Sequence, residues 1–146
     1  MNPLIFSISV TPRPKGRPRA TVRRGKSFAT IYTDTETRKY EAAIKSCAVM
    51  FMAGRAPLEG PLSVSLRFRL QPPKSMTKRL RAAVLAGEEA YMGSSDLDNY
   101  IKSASDSLNG VCWRDDVQIV RLFATKAAAE KPGIDIKIQP LAEFGE

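Results

Sequence analysis

The sequence predicts a single α/β (α+β) domain in which helices pack mainly on one face of a mixed β-sheet. Three observations carry that reading. Between positions 62 and 70, Leu62, Val64, Leu66, Phe68 and Leu70 alternate with Ser63, Ser65, Arg67 and Arg69, the two-residue period of a strand with one apolar face. Tyr40, Ile44, Cys47, Ala48 and Phe51 recur at helical spacing until Gly54. The segments follow one another as strand, short strand, helix, strand, small helix, helix, strand, strand, with no repeat and no low-complexity stretch, and a mixed sheet is their natural packing. At 146 residues and 43% hydrophobic content the chain can build one sizeable core but not two ordinary domains. Residues 1–146 are therefore read as one domain, with a basic loop at about 11–28.

The elements can be justified in order. Leu4 to Val10 reads as a first strand, ended by Thr11–Pro12. Pro12, Pro14, Gly16 and Pro18 then argue for an extended loop, and Phe28 to Thr33 is expected to return as a short strand, with the basic residues at the tip of the hairpin. Asp34 or Thr35 offers an N-cap to the helix that follows. After Gly60–Pro61 comes the strand from Leu62, ended by Pro72–Pro73. Residues 75–86 suit a small cationic helix with Leu80, Ala83 and Val84 inward and Gly87 as its stop. Ile101, Ala104 and Leu108 place a helix over 99–108, capped by Asp98 and stopped by Asn109–Gly110. Val117 to Ala124 and the alternation Ile134, Ile136, Ile138 make the last two strands.

Composition narrows the chemistry. The chain contains no histidine, so histidine triads, histidine zinc sites and histidine general bases are excluded. Cys47 and Cys112 are far apart, each in a pattern that reads as buried, and suit structural thiols in a reducing compartment. No run spans a bilayer and the N-terminus lacks a signal-peptide pattern, so a soluble, cytoplasmic protein without a membrane partner is expected.

Charge is placed unevenly. The formal net charge is +8, and Arg13, Lys15, Arg17, Arg19, Arg23, Arg24 and Lys26 lie in one stretch without an acid. Such a block is either a solvated arm or, as the arginine and proline content favours, a loop that grips phosphates. Lys15, Arg17, Arg19, Arg23 and Arg24 are its candidate DNA contacts, joined by Arg67 and Arg69 on the polar face of the central strand and by Lys78, Arg79 and Arg81.

Against this background, five of the 15 acidic residues crowd into positions 96–116 as Asp96, Asp98, Asp106, Asp115 and Asp116. Two carboxylates one residue apart on an extended segment point into the same space, and one would take up a proton unless a cation neutralised the pair. Asp98, Lys102 and Asp106, four residues apart, form a polar helical stripe. It is either a pair of surface salt bridges or, beside Asp96 and the second acidic pair, part of a phosphate site in which Lys102 neutralises charge. Asp115–Asp116 precedes the next strand, and the sequence leaves open whether that strand starts by the C-terminal end of the helix or whether Val111–Arg114 climbs back toward Asp96. Asn99, Tyr100 and Gln118 could orient carboxylates or bases, or act as capping, core or surface residues.

Asp96-Leu97-Asp98-Asn99, then Lys102, Asp106, Leu108, Gly110, Trp113, Asp115-Asp116 and Gln118, closely resembles the signature of the RusA family of Holliday-junction resolvases. Pro14-Lys15-Gly16-Arg17-Pro18-Arg19, Tyr32-Thr33, Thr37-Arg38, Tyr40 and Glu41 resemble the N-terminal half of its phage-type members, so the likeness spans about residues 6–138. The resemblance implies a RusA-like fold and a homodimeric, Mg²⁺-dependent endodeoxyribonuclease, with Mn²⁺ as an alternative ion, cutting four-way DNA symmetrically. It implies Asp96, Asp98 and Asp116 as metal-binding carboxylates and Lys102 as the essential lysine, with Asp115 and Asn99 as additional candidates. A bacterial host cell or a prophage is the implied setting. The segment from Pro73 to Gly93 is longer than a minimal member needs. Two other readings stay open: a non-catalytic nucleic-acid-binding protein, and a metal-dependent nuclease acting on flaps or other branched DNA.

Overall fold

A computed structural model describes residues 2–15, 19–22, 29–32 and 35–141, with side chains described outside 19–22 and 29–32. The strands are β1 (Leu4–Ile8), β2 (Arg19–Val22), β3 (Ala29–Tyr32), β4 (Leu62–Leu70), β5 (Ile119–Ala128) and β6 (Gly133–Pro140), and the helices are α1 (Thr35–Met52), α2 (Lys78–Leu85) and α3 (Leu97–Leu108). β1, β6, β4 and β5 form one sheet in that order, and β2 and β3 pair as a separate antiparallel hairpin. β6 runs antiparallel to both β1 and β4, while β5 runs parallel to β4, so the sheet is mixed as expected.

β4 is central because its alternation suits that position. Leu62, Val64, Leu66, Phe68 and Leu70 are all buried, and neighbours on both sides complete its hydrogen bonding. Tyr40, Ile44, Ala48 and Met52 of α1 and Tyr100, Ala104 and Leu108 of α3 close over that face, with Phe68 stacked on Tyr100 at 5.4 Å between ring centres. On β6, Ile134, Ile136 and Ile138 complete the layer. Gly133 is demanded by the packing, since a Cβ there would stand 2.8 Å from the Ile8 carbonyl oxygen and against the Arg69 guanidinium.

Several expectations need correction. β1 stops at Ile8, and α3 begins at Leu97, not Asn99, because Asn99 and Tyr100 both donate their N–H to the Asp96 carbonyl. Asp96 is thus the N-cap residue and Asp98 lies in the first turn. Cys47 is exposed; it falls beside the buried stripe of Ile44 and Ala48. Leu80 of α2 is also exposed, and Val84 is the residue that helix buries, because α2 leans on the margin of the sheet at β5 and not over the core. β5 starts at Ile119 and continues to Ala128, past the expected end at Ala124, because parallel pairing with the whole of β4 carries it to Leu70. Arg17, Arg23, Arg24, Lys26, Phe28 and Asp34 lie outside the described residues, and Arg19 is described as a backbone position of β2.

Candidate active site

The site is organised around the two ends of α3. At its N-terminal end, Lys126 of β5 donates to the carbonyl oxygens of Met92 and, at 3.0 Å, of Ser95, the residue before Asp96. Lys126 pairs laterally with Phe68, so it stands on the core-facing side of the sheet, where a cation needs such partners. It therefore holds the segment that leads into Asp96 and Asp98. Both carboxylates are exposed, the Asp96 side chain makes no capping bond, and Lys102 is exposed one turn beyond Asp98.

At the C-terminal end the chain turns back at Asn109–Gly110, where Gly110 adopts a φ of 80° that favours glycine. The fully buried Trp113 donates its indole N–H to Asn109 Oδ1 at 2.5 Å, and Leu58 N–H donates to the Cys112 carbonyl at 2.9 Å. The Val111–Arg114 loop therefore stays at the C-terminal end of α3, which resolves the alternative the sequence left open. Asp115 and Asp116 follow directly.

A three-residue 3-10 turn, Asp116–Gln118, presents these carboxylates. Asp115 accepts the Val117 N–H at 3.0 Å, while Gln118 Oε1 accepts the N–H groups of Arg114 and Asp115 in a capping box. Gln118 Nε2 donates to the carbonyls of Leu58 and Gly60, tying the turn to the segment before β4. Asp115 is thus committed to local structure, and both residues of the pair are exposed. The two carboxylates lie close enough to share a proton. The Val117 N–H, then that shared proton, hold Asp115 below the usual carboxylate range. Asp116 is raised by its bond to Asp115, then by slight burial and by the negative charges of Asp115 and Asp106. The α3 carboxylate acting most on Asp116 is Asp106, eight residues and about 12 Å of helix rise beyond Asp98.

The basic loop is rooted beside this cluster. Lys15 N–H donates to the Asn99 carbonyl at 3.0 Å, and Lys15 Nζ stands 2.5 Å from Glu41 and 3.3 Å from Asp106. Burial works against the Lys15 ammonium, but Glu41 and then Asp106 outweigh it and hold the pKa above its ordinary value. Tyr40, buried beside the Arg13 backbone, has its hydroxyl pushed up to about 12 by that burial. Lys15 therefore joins α1, α3 and the loop. Arg67 is exposed on the far face of the sheet, and Arg69 there pairs with Asp135 at 3.2 Å.

The donor set is oxygen-only and suits a hard divalent ion such as Mg²⁺, which protein commonly holds through one or two carboxylates while water and substrate phosphates complete its coordination. Two such pairs are present. Among the described residues no three carboxylate or cysteine side chains stand close enough together to hold a metal ion. Gln118 organises the acidic turn, one of the roles its sequence position allowed, whereas Lys126 and the Lys15–Glu41–Asp106 bridge were not legible as organisers of the site. The one signal for Lys126 was a lysine at an inward register of a strand.

An acidic surface site flanked by a proline-punctuated basic loop, on a small mixed-sheet domain, defines a nuclease-like architecture. The chain belongs to the RusA family: the family model described as Endodeoxyribonuclease RusA matches residues 9–139. It is an endodeoxyribonuclease by family, and the family's action on Holliday junctions makes DNA its substrate class. The chain is also 27% identical over 147 residues to "Uncharacterized protein YqaN" of Bacillus subtilis (strain 168), covering 97% of this chain and 99% of that protein. No helix among the described residues is long and apolar enough to cross a membrane.

Proposed function

We propose that the protein is a Mg²⁺-dependent, homodimeric Holliday-junction resolvase that cuts by symmetric phosphodiester hydrolysis. Mn²⁺ would be an alternative ion, and a bacterial or prophage setting would suit it. The observation that carries this reading is the family match over residues 9–139, which includes both the Asp96-x-Asp98-Asn99-x-x-Lys102 element and the exposed, crowded pair Asp115–Asp116.

Asp96 and Asp98 at the start of α3 and Asp116 beyond its far end would offer their carboxylates to divalent ions as two separate sites, since the three do not come together among the described residues; a bound ion would lower the pKa of water and polarise the phosphoryl group. Asp115 shapes the turn that presents Asp116, and the Asn99 carbonyl anchors the root of the basic loop through Lys15. Lys102, without an ion pair among the described residues and one turn from Asp98, would offset negative charge on the phosphate as it builds. Arg17, Arg19, Arg23, Arg24 and Arg67 would grip the DNA backbone. Two sites related by a twofold axis match a substrate that is itself twofold symmetric.

The test sets a four-way junction, a linear duplex, a flap and an RNA duplex side by side with Mg²⁺. The expected result is metal-dependent cutting of the junction at symmetry-related positions. Asp98→Asn and Asp116→Asn should each reduce cleavage by at least a hundredfold while junction binding is kept or improved. Equal cutting of flaps would move the substrate to branched DNA in general, and binding without cutting under any divalent ion would leave a non-catalytic binder. Full activity in Asp98→Asn would shift the site toward Asp106, Asp115 and Asp116.

A further inference from the structure

The connection from β4 to α3 folds into a groove beside the candidate site. Between α2 and the strap that follows it, Met76, Leu80, Val84, Tyr91 and Met92 give a cavity of about 610 Å³ an apolar lining. Tyr91 is half-buried and packs on the core, while Leu80 and Met92 are 39% and 77% exposed. Large apolar side chains gathered in one open concavity mark a place that another molecule covers, and the volume is that of a small-ligand pocket.

The strap is pinned at both ends of the stretch 92–95, where Lys126 donates to the carbonyl oxygens of Met92 and Ser95. Between them Gly93, at a φ of 65°, lies so close to the core that a Cβ would stand 3.4 Å from Leu70 Cδ1. Ser94, also in the lining, is two residues from Asp96, no more than about 7 Å of chain. The groove and the Asp96–Asp98 element are therefore held in fixed relation.

Charge selects the occupant. Lys74, Lys78, Arg79 and Arg81 fall between Gln71 and Gly87 with no acid among them. Arg81 is used on the Pro72 carbonyl at 3.0 Å, whereas Lys74, Lys78 and Arg79 are exposed and make no ion pair among the described residues. Lys74 follows Pro73 and Arg79 precedes Leu80, both in the lining. Glu89 lines the part of the groove beyond α2, where a carboxylate can accept from an amino group on a base edge.

We propose that this groove takes one unstacked base of the DNA strand whose phosphate lies at Asp96 and Asp98, with Tyr91 as the stacking residue and Lys74 and Arg79 on the flanking phosphates. The inference rests on the proposed function for the position of that phosphate. A strand rises about 3.4 Å per nucleotide, so the base belongs to a nucleotide one or two steps away. An aromatic ring beside thioethers suits a base of any identity, because every base has a π-face. Taking a base out of the stack costs least where pairing is already interrupted. The groove thereby favours a branch point over an intact duplex, which makes residues 73–93 a selectivity device.

In a fluorescence titration with Ca²⁺ in place of Mg²⁺, Tyr91→Ala should weaken binding to a four-way junction about tenfold and to a linear duplex less than twofold. Tyr91→Phe should restore the junction affinity. Because Tyr91 also packs on the core, Met92→Glu repeats the test at an exposed position, with the same preferential loss and an unchanged circular dichroism spectrum. Lys74→Ala combined with Arg79→Ala should lower the salt slope of junction binding by about two, and Tyr91→Ala should leave that slope unchanged. Junctions carrying 5-iodouracil in turn at each nucleotide around the crossover should photocrosslink to Tyr91 or Met92 from one position. Equal losses on junction and duplex, no loss in either Tyr91→Ala or Met92→Glu, or crosslinks confined to other segments would each overturn the proposal. Cleavage is scored separately, so a junction that crosslinks at Tyr91 and is never cut sinks only the nuclease, and one that is cut while both variants bind normally sinks only the groove.

Discussion

At the scale of single residues, context separates side chains that look alike in sequence. Cys47 and Cys112 both occur in apolar surroundings, yet one is exposed and the other fully buried. Burial pushes the Cys112 thiol up to about 11, only partly offset by Arg55, so it stays protonated and unreactive at neutral pH. A thiol reagent at pH 7 should therefore label Cys47 quickly and Cys112 only after denaturation. Equal native labelling rates would contradict the burial. Asp115 and Asp116 differ similarly, the first accepting the Val117 N–H that shapes the turn and the second, its carboxylate raised by its neighbour, making no such capping bond. The acids were legible because a cluster of them is anomalous in so basic a chain. Which one caps the turn was not legible, since that depends on how Val111–Arg114 closes.

At the scale of elements, periodic amphipathic segments were readable and irregular ones were not. β4 runs over Leu62–Leu70 as its alternation required, and α1 ends at Met52, just before Gly54. β5 was harder, because its first residues wind into the 3-10 turn and its last ones, Thr125–Ala128, carry little pattern of their own. Gln118 joins that turn to the Leu58 and Gly60 carbonyls, which makes it a positioning residue for Asp116. Gln118→Ala should cost about 1–2 kcal/mol in urea denaturation through the lost capping box and unpaired carbonyls. Cleavage should fall at least tenfold while junction affinity changes less than twofold. Unchanged cleavage would mean that the turn need not be held.

At the scale of the whole molecule, the formal charge of +8 and the acidic site act on different steps. On the proposed function the basic loop and Arg67 would set affinity through released counterions, whereas the carboxylates would weaken the local field and serve chemistry. Raising salt from about 50 to about 200 mM should weaken junction binding by roughly a thousandfold if six or more phosphates are neutralised. A loss below tenfold in a filter-binding or fluorescence titration would argue against the basic surface as the main contact. Sequence by itself determined the fold class, the two strongest elements, the exclusion of histidine chemistry and the family signature, because these depend on residue identity and local spacing. Tertiary structure alone decided that the four-residue connection after β5 does not make a hairpin. β4 lies between β5 and β6, since only there are both of its hydrogen-bonding edges paired while its apolar row is covered. It likewise decided that Asp116 feels the charge of Asp106 and that Lys15 bridges two helices. Contacts between residues distant in sequence are set by the competition of whole faces for burial, and no local pattern encodes its outcome.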